Sequence, residues 1–122
     1  MPPLRILVVE DDEALVRFYR EALGDLGHDV RIARNGAEGL EALGTDLDLV
    51  VTDIGMPVMS GDEMLREMRR RPEYAGLPVL ILTARLEGFE DLLAGDRTAI
   101  LRKPFPLERF VDFVESALRA PR

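Results

Sequence analysis

A chain of 122 residues with no cysteine and a formal net charge of −7 fits one domain, long enough to bury its apolar surface without disulfide staples. Thiolate metal chemistry is excluded, and the acidic balance speaks against direct nucleic-acid binding, because phosphate contacts need a basic face. The start, Met1 to Arg5, lacks the apolar run of a secretory signal, and no stretch reaches membrane-spanning length. The expectation is therefore a cytoplasmic protein that does not engage a membrane.

Along the chain, strand and helix patterns alternate. Arg5 to Val9 reads as a strand. Glu13 to Leu26 reads as a helix, with Ala14, Leu15, Phe18, Ala22, Leu23 and Leu26 at helical spacing. Asp12 is its N-cap, and Gly27-His28 stops it, with His28 as a turn residue. Asp29 to Ala33 is a short strand. Asn35 caps a helix carrying Ala37, Leu40 and Leu43. Leu47 to Thr52 is a buried strand. Ser60 and Glu63 form a capping box before a helix that turns Met64, Leu65 and Met68 inward and stops at Pro72. Its Arg66, Arg69, Arg70 and Arg71 read as a solvated helix end whose cations suit the helix dipole. Pro78 to Thr83 is the fourth strand, Leu86 to Ala94 a weak helix interrupted by Gly88, and Ala99 to Arg102 the fifth strand. Leu107, Phe110, Val111, Val114 and Leu118 mark a final amphipathic helix.

This alternation predicts an α/β fold with a parallel sheet and helices on both faces. In such sheets the ligand lies at the carboxyl ends of the strands. The chemically loaded residues fall there. The first strand runs into Glu10-Asp11, the third into Asp53, the fourth into Thr83-Ala84 and the fifth into Lys103-Pro104. Clustered carboxylates repel one another, and a bound Mg²⁺, or alternatively Mn²⁺, relieves that repulsion with oxygen ligands and waters. Asp11 and Asp53 are the direct metal candidates, Glu10 acts through water, and a backbone carbonyl after Asp53, at Gly55, completes the set. Asp53 stands alone at its strand end and is the candidate nucleophile. Lys103 offers a point charge to a transferred phosphoryl group, and Thr83 offers a hydroxyl donor. Taken singly, each of these is more often a turn, cap or surface residue. Their joint placement at one sheet edge carries the argument.

The runs Ile6 to Asp12, Asp53 to Gly61, Leu82-Thr83-Ala84 and Lys103-Pro104-Phe105 resemble the receiver domains of bacterial two-component response regulators, including chemotaxis regulators, and the likeness covers essentially the whole chain. It implies a doubly wound, flavodoxin-like sheet of five strands in the order 2-1-3-4-5, Asp53 as phosphoacceptor, and Mg²⁺ on Asp11, Asp53 and the Gly55 carbonyl. It also implies a cis peptide at Lys103-Pro104. The implied phosphoryl donor is a phosphohistidine on a sensor histidine kinase or histidine phosphotransfer protein. Residues 1–122 then read as a single receiver domain, stand-alone or part of a larger regulator or hybrid kinase. It would be a monomer or weak dimer, acting on a downstream protein target and not as an enzyme on a separate substrate.

Two departures fall on the usual output face. Ile100 stands where the family usually places an aromatic residue, and the stretch from Thr83 to Lys103 is short, with a poor helical pattern. Two rival readings are weighed against this one. A small Mg²⁺-dependent aspartyl-phosphate phosphatase would need a general-acid Asp where Gly55 stands. A binding module that has lost phosphorylation would have no use for Glu10, Asp11, Asp53, Thr83 and Lys103 together.

Overall fold

A computed structural model describes residues 3–85, 87–94 and 97–116. The strands β1 (Arg5–Val9), β2 (Asp29–Ala33), β3 (Leu49–Asp53), β4 (Val79–Thr83) and β5 (Thr98–Arg102) form one parallel sheet in the order β2-β1-β3-β4-β5. The helices are α1 (Glu13–Asp25), α2 (Gly36–Ala42), α3 (Gly61–Arg70) and α4 (Leu107–Ser116). The chain leaves β1 toward β2 and returns on the other side to β3. The order therefore reverses between β1 and β3, and a crevice opens at their carboxyl ends.

Side chains alternate across each strand. Leu7, Val9, Val50, Val79 and Ile81 meet Met64, Leu65 and Met68 of α3 and Leu40 of α2 on one face. Ile6, Val8, Val51, Leu80 and Leu82 meet Tyr19 and Leu23 of α1 and Phe110 and Val114 of α4 on the other. Burial on both faces is why the central strands read as unbroken apolar runs.

The caps at Asp12 and Asn35 form as expected: Asp12 Oδ1 accepts from the N–H groups of Ala14 and Leu15, and Asn35 Oδ1 from that of Glu38. Ser60 does precede α3, but its hydroxyl donates to the Glu63 carboxylate at 3.0 Å and makes no bond to the helix backbone. Neither backbone bond of the expected capping box forms; the two side chains bond to each other instead. Strand bounds shift by one or two residues, β3 beginning at Leu49, β4 at Val79 and β5 at Thr98.

Four expectations need correction. The buried stripe of α1 is Val16, Tyr19 and Leu23, while Phe18 and Leu26 are each 41% exposed. Tyr19 packs against Phe110 with ring centroids 5.4 Å apart, so contact with α4 sets the roll of α1. On α4 itself, Leu107 is exposed, and Leu118 lies outside the described residues. His28 does sit in the turn, yet it is buried. Its Nδ1 accepts the Leu4 N–H at 3.0 Å, and burial holds the ring below its ordinary pKa, so the neutral form ties the start of β1 to the end of α1. Arg69 is not a solvated helix-end cation. Its Nη1 donates to the carbonyls of Tyr74, Ala75 and Leu77 and its Nη2 to Thr98 Oγ1, joining α3 to the entry of β4 and to β5.

The weak helix expected over Leu86–Ala94 is a single 3-10 turn, Glu90–Ala94; Leu86 lies outside the described residues. Gly88 has φ +91°, a conformation that a right-handed helix cannot contain. Phe89 and Leu92 still pack onto the core beside α3.

Candidate functional site

Four strand ends deliver the chemistry to one edge. Glu10 follows β1, and its N–H donates to Ala33 O at 2.9 Å, extending the β1–β2 ladder by one rung. Lys103 follows β5 and extends the β4–β5 ladder in the same way, its N–H donating to Thr83 O at 2.8 Å. Asp53 and Thr83 are the last residues of β3 and β4. The Lys103–Pro104 peptide is cis.

Asp53 is held at both carboxylate oxygens. Oδ1 accepts the Ile54 N–H at 2.7 Å and Oδ2 accepts from Lys103 Nζ at 2.9 Å. Lys103 Nζ also lies 4.0 Å from Glu10 Oε1. The edge therefore joins Asp53, Lys103 and Glu10 directly. Glu10 is 2% exposed, and its pKa rises from 4.5 to about 7. Burial is the main cause; the charge of Asp53 and a hydrogen bond with Asp11 add to it, and the Asp12 N–H and Lys103 oppose it. Buried carboxyls that share a site lose their charge in this way unless a cation joins them.

The other expected residues stand further apart. Asp11 is exposed and reaches the cluster through Glu10. Gly55 is exposed, and a Cβ built there would meet nothing within 4 Å. Thr83 is buried, and its hydroxyl is engaged with the backbone of Arg85, donating to its carbonyl at 2.8 Å and accepting from its N–H at 3.1 Å. It makes no hydrogen bond to Asp53. Among the described residues, no three acidic or imidazole side chains gather into a ready metal-ligand group. The donors that do face this edge are oxygens only, with one buried carboxyl pushed toward neutrality and open space at Gly55. That chemistry suits a hard cation that takes one or two carboxylates and keeps several waters.

Three contributors escaped the sequence reading. Gly61 opens α3 so close to β3 that a Cβ would collide with the backbone oxygen of Asp53, while its N–H donates to Ile54 O at 2.8 Å. Gly36 is likewise pressed against the Met59 and Ser60 carbonyls and donates its N–H to Met59 O, docking α2 on the loop after Asp53. Tyr19 is held well above its ordinary pKa by burial and by the charges of Glu10, Asp53 and Asp12, which places its phenol in the field of the acidic edge. Two of the three are glycines, whose role is room. The sequence signals a glycine but not what it makes room for.

Comparison with known proteins gives a consistent set of likenesses. A family model described as response regulator receiver domain matches residues 6–115. Response regulator MprA of Mycolicibacterium vanbaalenii is 38% identical over 120 residues, covering 96% of this chain and 51% of that protein. The chain thus spans about half the length of the curated relatives it matches. Among solved structures, the non-phosphorylated HemR receiver domain of Leptospira biflexa superposes with a TM-score of 0.86 at 30% identity, over 99% of this chain and 98% of that one. The receiver domain of a Pseudomonas aeruginosa sensor histidine kinase, solved with a magnesium ion in its active-site cleft, gives 0.85 at 22% identity, over 98% and 100%.

Proposed function

Because this chain belongs to the receiver-domain family of two-component response regulators, we propose that it accepts a phosphoryl group on Asp53 from a phosphohistidine of a sensor histidine kinase or histidine phosphotransfer protein, in a Mg²⁺-dependent step. The observation that carries this reading is the contact between Lys103 Nζ and Asp53 Oδ2 at 2.9 Å, beside the buried Glu10. An Asp53 oxygen attacks phosphorus as the phosphorus–nitrogen bond of the donor breaks, and the bonding pair leaves on the imidazole nitrogen. Lys103, already at Asp53, neutralises the oxygens of the incoming phosphoryl group. Thr83 donates its hydroxyl to one of them after giving up the Arg85 carbonyl.

Asp11, Asp53 and the Gly55 carbonyl would hold Mg²⁺, with Glu10 acting through water. When bound, the ion supplies the positive charge that lets these carboxylates and a phosphoryl group share one edge. The magnesium ion in the active-site cleft of the Pseudomonas aeruginosa receiver domain supports Mg²⁺ as the metal. The domain acts as a phosphoacceptor, catalysing only its own phosphotransfer and dephosphorylation, and its altered surface is read by a downstream protein. With a net charge of −7, it does not itself contact nucleic acid. We place it in the cytoplasm as a monomer or weak dimer, where a phosphohistidine donor would meet it; among the described residues no helix is long and apolar enough to cross a membrane.

The test is incubation with acetyl phosphate and Mg²⁺, with mass spectrometry for one acid-stable, base-labile adduct. The parent should gain it and Asp53→Asn should not. An identical adduct on Asp53→Asn, or none on the parent, refutes the reading and leaves the phosphorylation-independent binding module.

A further inference from the structure

At the amino ends of β3, β4 and β5, beside the last turn of α4, lies an open pocket of about 200 Å³. This is the sheet edge opposite Asp53. Leu49, Pro78, Leu80, Ala99 and Phe113 make the walls apolar. Among the described residues no acid lines the pocket, and its one charged group is Arg97.

Arg97 carries two local costs. Its Nη1 is buried and meets no hydrogen-bond partner, and among the described residues the side chain joins no ion pair. Arg69, by contrast, places its two terminal nitrogens on the carbonyls of Tyr74, Ala75 and Leu77 and on the Thr98 hydroxyl. The backbone at Arg97 has φ +71°, a left-handed conformation that favours glycine. Its carbonyl fixes it there by accepting the Val79 N–H at 2.8 Å. A glycine at this position would carry neither the strain nor the buried, unmet donor. The two hydroxyls on the lining are already engaged: Ser116 donates to the Phe113 carbonyl at 2.8 Å, and Thr98 accepts from Arg69. The unmet donor of the pocket is therefore cationic and stands among hydrocarbon.

A guanidinium N–H in such surroundings is best met by a carboxylate, through a charge-assisted hydrogen bond. Size and shape narrow the ligand further. An apolar cavity of about 150 Å³ takes up one benzene ring, and the remaining space matches a carboxylate. Phe113 gives that ring an aromatic wall. We propose that this pocket binds a small aromatic carboxylate, with its carboxylate on Arg97 Nη1 and its ring against Phe113 and Leu80. A strongly hydrated anion such as phosphate would find one cation and otherwise apolar walls, so it is not the ligand. The pocket shares no residue with the Asp53 edge, and the inference does not rest on phosphotransfer.

The test is a titration with sodium benzoate at neutral pH, read from amide chemical shifts. Benzamide keeps the ring and loses the charge; acetate keeps the charge and loses the ring. Benzoate should shift amides within residues 79–80, 97–99 and 113–116 and reach saturation. Benzamide should bind roughly tenfold more weakly, the scale of one charge-assisted hydrogen bond, and acetate should not saturate where benzoate does. Arg97→Gln should lower benzoate to the affinity of benzamide. The comparison of probes on the parent needs no variant and decides the question should Arg97→Gln unfold. Benzamide binding as tightly as benzoate, no saturable shift, shifts centred on Lys103 and the Asp53 edge, or full benzoate affinity in Arg97→Gln would overturn the proposal.

Discussion

Lys103 reaches across the sheet edge to Asp53, Nζ to Oδ2 2.9 Å, from a position fixed by the last rung of the β4–β5 ladder. The two form an ion pair at a partly exposed site, in contact with a buried third carboxyl at Glu10. The ammonium is thus in place before any phosphoryl group arrives, and its reorientation is the smallest motion that could report one.

Removing that ammonium separates acceptance from response. Lys103→Ala retains Asp53 and its Ile54 N–H contact, so slow labelling by acetyl phosphate should survive. The amide shifts that beryllofluoride induces in the loops around Thr83 should be lost. An undiminished shift pattern in Lys103→Ala would show that another group senses the phosphoryl oxygens.

Glu10 gives a pH dependence with a definite sign. Its folded value, about 7, lies above the ordinary 4.5, so its contribution to stability is full below about pH 4.5 and is lost as pH rises through 7. In chelator-treated buffer, Glu10→Gln should therefore gain stability over the parent at pH 8, by about 3 kcal/mol from the size of the shift, and gain almost none at pH 4. Urea denaturation at both pH values measures this. Equal effects at the two would mean that Glu10 ionises normally.

The metal assignment is tested without any phosphoryl chemistry. Asp11 is exposed, so Asp11→Asn should leave the fold intact. Its Mg²⁺ affinity, read from amide shifts in a titration, should fall by roughly tenfold for the lost ligand charge. Parent-like binding would remove Asp11 from the ligand set.

Arg69 carries a stability prediction. Arg69→Ala strips donors from the carbonyls of Tyr74, Ala75 and Leu77 and from the Thr98 hydroxyl. The Tyr74 carbonyl keeps the Leu77 N–H and Ala75 is exposed, so the acceptors left unmet are those of Leu77 and Thr98; their loss should cost about 1–3 kcal/mol, seen as a lower urea midpoint at unchanged slope. A surface-like change below about 0.5 kcal/mol would contradict the half-buried hub.

The switch should run through the connection between β4 and β5. Ile100 is partly buried against the core and has no ring to turn. For Thr83 to reach a phosphoryl oxygen, its hydroxyl must leave the Arg85 carbonyl, which frees the start of that connection. Hydrogen exchange with and without beryllofluoride should therefore change most within residues 87–94. A change centred on α1 or α4 instead would place the switch elsewhere.

The strands were legible because both faces of the sheet are buried, which leaves unbroken apolar runs such as Ile6 to Val9; their order came from the resemblance to receiver domains and not from the runs themselves. The site edge was legible because its residues sit at the ends of those runs. What stayed hidden depends on contacts between distant elements. Leu15 and Phe18 offer as good a helical stripe as Val16 and Tyr19, and only Phe110 on α4 decides between them. Arg69 looks like its three arginine neighbours until Leu77 and Thr98 fold back to meet it. The hydroxyl of Thr83 turns toward Arg85, a choice made locally by the loop that follows and unrelated to the strand pattern before it.

Gly61 and Asp53 are constrained for unrelated reasons, although they sit together. The carbonyl of Asp53 leaves no volume for a methyl group at position 61, whatever the domain does, whereas the Asp53 carboxylate, bound to Lys103 and the Ile54 N–H, is tied to the proposed phosphoacceptor role. On that proposal, descendants that abandoned phosphotransfer could exchange Asp53 and would still be held to glycine at 61. Drift at these two positions would thus date the loss of signalling separately from the loss of the fold.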